Sequence, residues 1–349
     1  MSIWLATREE VKGAADIAET AYVNSRIDRA IEAGTTDVEE LCHRVFYPTL
    51  ATRRFDWPNA QMGSPYRLWL NQHEVASISE VTSGGVVIAS SDYVLYPDAG
   101  PPYNRLEINL GTSAAFGGGD THQKDISISG VFIGCPVKED PAGLLAAAIS
   151  STTVTTVDVT DSGAIGVGQL LRVGSERMVV TGKSMLTTAQ TLQTPLTANT
   201  SDTALVVTDG SAYTEGEVLL LNAEKVLVLD IADDTLIVRR SWDGSALAAH
   251  TGSTIYARRR LTVERGVLGT TAAEHSISAT VVKHRFPAPA RRLAIAEAQN
   301  TLAQESAQWA RQIGAGENVR ELSAKGLKDA RDQCYDALGR KARSRAVAG

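Results

Sequence analysis

Apolar positions recur at helical spacing near the start of the chain and at strand spacing after about residue 50. Val38, Leu41, Cys42 and Val45 stand at i, i+3, i+4 and i+7, one face of a helix that must stop by Pro48. Ile17, Ala18, Tyr22, Ile27, Ala30 and Ile31 form an earlier stripe, which Gly34 is expected to end. Thr7 with Glu10, and Thr36 with Glu39, have capping-box spacing, so each should open a helix within 7–47. The period then becomes two. Tyr66, Leu68 and Leu70 alternate with polar residues, as do Leu106, Ile108 and Leu110 with Arg105, Glu107 and Asn109. Gly84–Gly85 between Val81 and Val86–Ile88 signals a hairpin, and Ile126 to Ile133 supplies a further strand. The strands are thus expected over 50–134. Gly117–Gly118–Gly119–Asp120 offers no side chain to pack and is expected to be mobile or ordered by a partner. Asp140–Pro141 reads as an N-cap with proline at the first helical position, predicting a short Ala-rich helix over 140–150.

Residues 154–284 carry an internal repeat with two offsets. Val157-Asp-Val-Thr-Asp161 recurs 48 residues later as Leu205-Val-Val-Thr-Asp209, with Gly168, Leu171, Glu176 and Val180 matching Gly216, Leu219, Glu224 and Val228. A second set is offset by 25. Val238, Gly244, Ser245, Ala248 and His250 match Val263, Gly269, Thr270, Ala273 and His275. One tandem duplication would give one offset. Nesting accounts for both: an inner β-module at 202–257 inserted into a hairpin of an outer module split into 154–184 and 260–284. Such insertions survive at hairpin tips because loop lengthening costs little entropy. A tandem array with a decayed half at Thr191–Thr200 is the alternative.

After Pro287 and Pro289 the pattern is helical again, over about 290–313 and 318–338, broken by Gly314 and Gly316. The expected fold class is α+β: helical amino- and carboxyl-terminal segments, a β-sheet region, and two nested all-β modules. The expected segments are a core at 1–150, the two modules, and carboxyl-terminal helices with a basic tail at 287–349. Charge sharpens this division. The net −6 combines +5 from Arg285 onward with −11 from the remainder. The whole molecule is no simple polyanion binder. The basic Arg340, Lys341, Arg343 and Arg345 suit contact with phosphates, an acidic protein surface or solvent. No aromatic interleaves them for base stacking.

Candidate chemistry is sparse. Phosphate-loop, dinucleotide, nucleophile-elbow and HExxH signatures are missing from the sequence, and His73–Glu74 lacks a second histidine. Gly163-Ala-Ile-Gly-Val-Gly168 reads as a turn. Cys42, Cys135 and Cys334 are odd in number and far apart, which fits neither a disulfide framework nor a cysteine zinc site. Cys42 is expected to be a small core residue. His250 and His275 occupy equivalent places after Gly-(Ser/Thr)-X-X-Ala-X and are read as structural turn histidines, with metal binding the alternative. No catalytic, cofactor or metal residues are assigned, and apolar runs fall short of a membrane span. An intracellular, soluble-type chain is expected.

The order of parts resembles a known family. Tyr93-Val-Leu-Tyr-Pro-Asp-Ala-Gly-Pro-Pro-Tyr-Asn-Arg-Leu-Glu-Ile108, the Ile126–Gly134 strand, Pro287-Ala-Pro-Ala-Arg-Arg-Leu-Ala-Ile-Ala-Glu-Ala-Gln299 and Arg340-Lys-Ala-Arg343 carry the likeness. They resemble head-to-tail adaptor (connector) proteins of long-tailed, siphovirus-type bacteriophages, especially those infecting actinobacteria. Leu170-Leu-Arg-Val-Gly-Ser-Glu176 and Leu261 to Thr270 resemble β-modules of phage virion proteins. The resemblance implies a non-enzymatic ring, commonly a dodecamer, between the portal and a tail-side neck protein such as a stopper. DNA would pass through its lumen without sequence-specific binding. It implies a place in the virion neck after assembly in the host cytoplasm, with the β-modules free to touch the major capsid protein. The alternative is a tail or baseplate protein whose modules bind host carbohydrate or receptor.

Overall fold

The computed structural model describes residues 3–14, 22–58, 64–306, 312–313, 320–321 and 324–341. Two helices lead, α1 (Arg8–Ala14) and α2 (Asn24–Cys42). Strands β1 (Thr49–Phe55), β2 (Arg67–Trp69), β3 (Val75–Ser83), β4 (Val86–Ile88), β5 (Tyr93–Tyr96), β6 (Arg105–Ile108) and β7 (Ile126–Phe132) follow. Next come β8 (Glu139–Leu144), β9 (Thr156–Asp158), β10 (Leu170–Val173), β11 (Glu176–Thr191), β12 (Ala204–Val206) and β13 (Val218–Leu221). The β region closes with β14 (Glu224–Ala232), β15 (Thr235–Arg239), β16 (Thr254–Glu264) and β17 (Thr280–His284). Helix α3 (Ala288–Ser306), the two-residue strands β18 (Gln312–Ile313) and β19 (Arg320–Glu321), and α4 (Ala324–Leu338) end the described chain. The class is α+β.

The chain divides into two compact units: 1–35 with 139–284 and 294–323, and 36–138 with 285–293 and 324–349. This division differs from the sequence segments, since residues 1–35 join the β-modules and the last helix joins the first sheets.

The first unit is built on a ten-stranded antiparallel sheet, ordered β12-β15-β14-β13-β16-β11-β10-β17-β8, with β9 also on β16. It carries two hydrophobic cores. One gathers Ala142, Leu145, Ile149, Leu171, Val180, Leu261 and Val281; the other gathers Leu192, Leu196, Leu205, Leu219, Val228, Val238 and Ile255. Each Leu or Val so buried contributes about 1.5–3 kcal/mol. The long strands β11 and β16 pair from Val179↔Glu264 to Thr191↔Thr254 across three register shifts, so one two-stranded ladder serves both cores.

Strand β8 corrects the expectation of a helix at 140–150. Glu139–Leu144 pairs with β17, and Leu145 and Ile149 continue along the same edge through Leu145 N–Ala279 O and Ile149 N–His275 O bonds of 2.9 Å each. Pro141 is tolerated because β8 is the terminal strand of the sheet, where a missing N–H breaks no ladder. The inner counterpart of this edge is Leu192–Leu196, whose N–H groups bond to Ser253 O and His250 O at 2.9 Å. The stretch Thr191–Thr200 thus supplies the first edge of the inner core.

Helix α2 brings a second correction. It runs unbroken through Gly34 and Thr36, where a stop and a new cap are expected. A Cβ on Gly34 would lie 2.9 Å from Ala294 O and 3.0 Å from Glu297 Cβ of α3. The glycine therefore serves a close helix crossing, and its backbone remains helical. At α1 the capping box is reciprocal: Thr7 N donates to Glu10 Oε2 at 2.8 Å and Glu10 N to Thr7 Oγ1 at 3.2 Å.

The second unit holds a four-stranded sheet, β1-β7-β3-β4, and a three-stranded sheet, β2-β6-β5. Leu70, Val81, Leu106, Ile126 and Ile128 form their common core. The glycine loop at 117–119 is tied to the β3–β4 hairpin: Gly117 N donates to Ser83 Oγ at 2.8 Å, and Asp125 accepts from Ser83 Oγ and Gly84 N. Backbone packing and one aspartate do what side chains in that loop do not. At the carboxyl end Gln312↔Glu321 pairing places Ile313 in a strand, so the helices expected over 290–313 and 318–338 are shorter than their apolar patterns.

Candidate functional sites in the repeated turns and at the carboxyl end

In each β-module a glutamate opens the second strand of a tight hairpin. Glu176 follows the Gly174–Ser175 turn and Glu224 follows Asn222–Ala223, and neither is reached by solvent. A buried carboxylate demands donors, and both modules supply the same five. Arg240 Nε and Nη2 bond to Glu224 Oε1 and Oε2 at 2.8 and 2.9 Å. Arg265 does so to Glu176 at 2.7 and 2.6 Å. Backbone N–H groups of Ser241 and Ala248 add bonds of 3.0 Å each; those of Gly266 and Ala273 add 3.1 Å each. His250 Nε2 lies 2.9 Å from Glu224 Oε2, and His275 Nε2 lies 2.8 Å from Glu176 Oε2. An ionised carboxylate only accepts, so each histidine carries its proton on Nε2.

The rest of the turn is equally duplicated. Arg240 also donates to the carbonyls of Thr197, Asp202 and Ala248, and Arg265 to those of Ser151, Val154 and Ala273. Ser245 Oγ accepts from Lys225 N at 2.9 Å, as Thr270 Oγ1 does from Arg177 N at 3.0 Å. Gly244 and Gly269, at φ 71° and 80°, take the left-handed conformation that turns the chain back onto the glutamate. Burial alone would push the two glutamates up. The arginine, the histidine and the backbone N–H groups outweigh it and bring both down to about 2.

The sequence pattern above passes over Arg240 and Arg265. Their signal was present, because they share the offset of 25 with the histidines. With five bonds already on each carboxylate, little lone-pair capacity is left for a cation. Among the described residues no group of three or more His, Cys, Asp or Glu is placed to hold a metal.

A third buried glutamate sits where inner and outer modules join. Glu217 accepts from Arg259 Nε and Nη2 at 2.8 and 2.6 Å and from Ser162 Oγ at 3.1 Å. It stands 48 residues after Gln169, which instead donates to His284 O at 2.9 Å. The exchange of Gln for Glu adapts one module position to the charged seam.

In the second unit the basic carboxyl-terminal residues separate. Arg340 is tucked in: its N–H bonds to Cys42 O at 3.0 Å, and its Nη2 lies 3.5 Å from Glu74 Oε2. Arg44 holds the other oxygen of Glu74 at 3.0 Å and donates to Leu338 O at 3.1 Å. Lys341 folds over the Tyr335 ring, 4.2 Å from its centroid, and reaches Asp336. Arg343 and Arg345 lie outside the described residues. Cys42 is buried at the end of α2, with its Sγ 3.8 Å from Cys334 Sγ of α4. Cys135 is buried too, and burial pushes its thiol up to about 12.

No protein-family model, curated protein or solved structure matches the chain.

Proposed function

We propose that the chain is a structural virion protein, a subunit of a ring that joins the capsid portal to the tail-side neck and lines the DNA channel. The observation that carries this reading is a sheet edge in the second unit that no strand covers among the described residues. Strand β4 ends its sheet, and Val86 and Val87 on it are 69% and 61% exposed. An apolar edge strand is a liability in a monomer and a contact in an assembly. Covering it with a different surface of the next copy gives a heterologous interface, which forms a ring where the rotation between copies closes. The buried ionisable groups of the β-modules fit the same reading, since Glu176, Glu217 and Glu224 are saturated by scaffold donors and serve rigidity.

Electron microscopy of the protein mixed with the portal of its own phage tests this. Rings stacked coaxially on the portal support it; a dispersed monomer that never binds portal overturns it. Val87→Lys should abolish the rings while leaving the thermal melt of the monomer in place.

A further inference from the structure

The second unit contains a cleft of about 1150 Å³, lined by the end of α2, β1, the segment before β3 and the residues after α4. Four cations line it: Arg44, Arg53, Arg340 and Lys341. Against them stand three carboxyl groups, those of Glu40, Glu74 and Glu39, the last pushed up to about 7 by burial. The cleft is therefore net positive in a molecule that is net negative.

Its polar atoms are also incompletely used. Arg44 Nε, Arg53 Nε and Arg340 Nε are buried without a hydrogen-bond acceptor among the described residues, and Glu39 Oε1 is buried without a donor; Arg340 Nη2 and Glu74 Oε2 make no hydrogen bond and face only each other, at 3.5 Å. Arg53 has a ring for a neighbour, Phe132 at 5.0 Å, and no carboxylate among the described residues. Buried donors and acceptors left open in one place mark a surface completed by something else. A small anion would answer the arginines alone. An extended peptide answers both sets, because its backbone N–H groups suit Glu39 Oε1 while its acidic side chains suit the guanidinium groups. The volume exceeds the usual range of small-molecule pockets. The chain's own tail is a poor occupant, since Ala342 to Gly349 contains Arg343 and Arg345 and no acid.

We infer that this cleft is a docking site for an extended acidic segment of a protein partner, with Arg53 and Arg340 as the carboxylate receivers. The inference does not depend on the chain forming a ring.

The probe is fluorescein-labelled octaglutamate, titrated against the full chain at low salt and followed by anisotropy. Saturable binding is expected, with Arg53→Gln weakening it about tenfold. Arg54→Gln, on the exposed outward face of β1, should leave it within about twofold, the scale of a distant screened charge. Glu39→Gln removes an acid from the cleft and should tighten binding. It keeps the test decisive if thermal melts show that Arg53→Gln is unfolded. Equal losses for Arg53→Gln and Arg54→Gln, or no response to either cleft substitution, overturn the site. Displacement by inorganic phosphate as readily as by unlabelled octaglutamate overturns the peptide in favour of a small anion.

Discussion

Arg240 lies side-on to Glu224, with Nε on Oε1 at 2.8 Å and Nη2 on Oε2 at 2.9 Å, and neither side chain is exposed. A pair in this setting is costly to break from one side. Desolvation has already been incurred, so removing the guanidinium leaves an uncompensated carboxylate in the core. Arg240→Ala should cost about 3–5 kcal/mol and lower the midpoint of urea unfolding accordingly. Replacing both partners by apolar residues, Glu224→Leu with Arg240→Met, should cost clearly less than the sum of the single changes. Equal and additive losses would show that the pair is not coupled.

Acid should unfold the modules through these glutamates. Glu176 and Glu224 titrate at about 2 in the fold, against an ordinary 4.5. Their folded values are depressed, so the stability they contribute is complete above pH 4.5 and is lost as the pH falls from there towards 2. The shift corresponds to an amount on the order of 3 kcal/mol for each glutamate. Denaturant midpoints measured from pH 7 to pH 2.5 should fall steeply below 4.5. Glu176→Gln with Glu224→Gln should start lower at pH 7 and flatten that acid limb.

These turns also show what a sequence can and cannot disclose. The two offsets are legible because duplicated side chains keep their spacing, and they outline an inner and an outer set of strands. The joining of Glu224 to Arg240 and His250 is not legible as chemistry. The 48-residue and 25-residue matches are separate alignments until the strands bring them together. Asp140–Pro141 misleads because cap-then-proline suits a helix start and an edge strand equally well, and only the pairing with β17 decides. Val86 and Val87 read as ordinary hairpin residues, since alternation cannot tell an edge strand from a covered one.

Gly34 misleads in the same way and yields a prediction. It stands where a helix-ending glycine is expected, yet α2 continues, and the missing side chain admits Ala294 and Glu297 of α3. Ala is the better helix former by about 1 kcal/mol in an exposed position. Here Gly34→Ala should instead destabilise by about 1–3 kcal/mol, because its methyl meets a backbone carbonyl at 2.9 Å. Gly13 has open space around a Cβ, so Gly13→Ala should be neutral or stabilising in the same melt.

Cys42 and Cys334, 292 residues apart, lie with their sulfurs 3.8 Å from each other. Closing them to the bond length of about 2 Å is a small movement of α4 against the end of α2. Treatment with hydrogen peroxide or diamide should form an intramolecular disulfide, read as a mass loss of two hydrogens and faster migration on non-reducing gels. Closing so long a loop should stabilise the chain by up to about 5 kcal/mol on the chain-entropy account. Cys42→Ser should abolish both the mass change and the stabilisation, while Cys135→Ser should alter neither.

Substitution can test the basic carboxyl-terminal residues one group at a time. Arg340 is anchored by Cys42 O and faces Glu74, a carboxylate it shares with Arg44. Arg340→Gln leaves that half-neutralised glutamate buried, so it should lower the melting temperature whether or not a partner is present. Arg343→Gln with Arg345→Gln removes two cations that lie outside the described residues. On the adaptor reading it should weaken portal binding in a salt-dependent way and leave the melt unchanged. Co-sedimentation with portal at two ionic strengths, run beside calorimetry, reads both effects. Unchanged binding in the double variant would show that these two arginines are solvated and that docking depends on other surfaces.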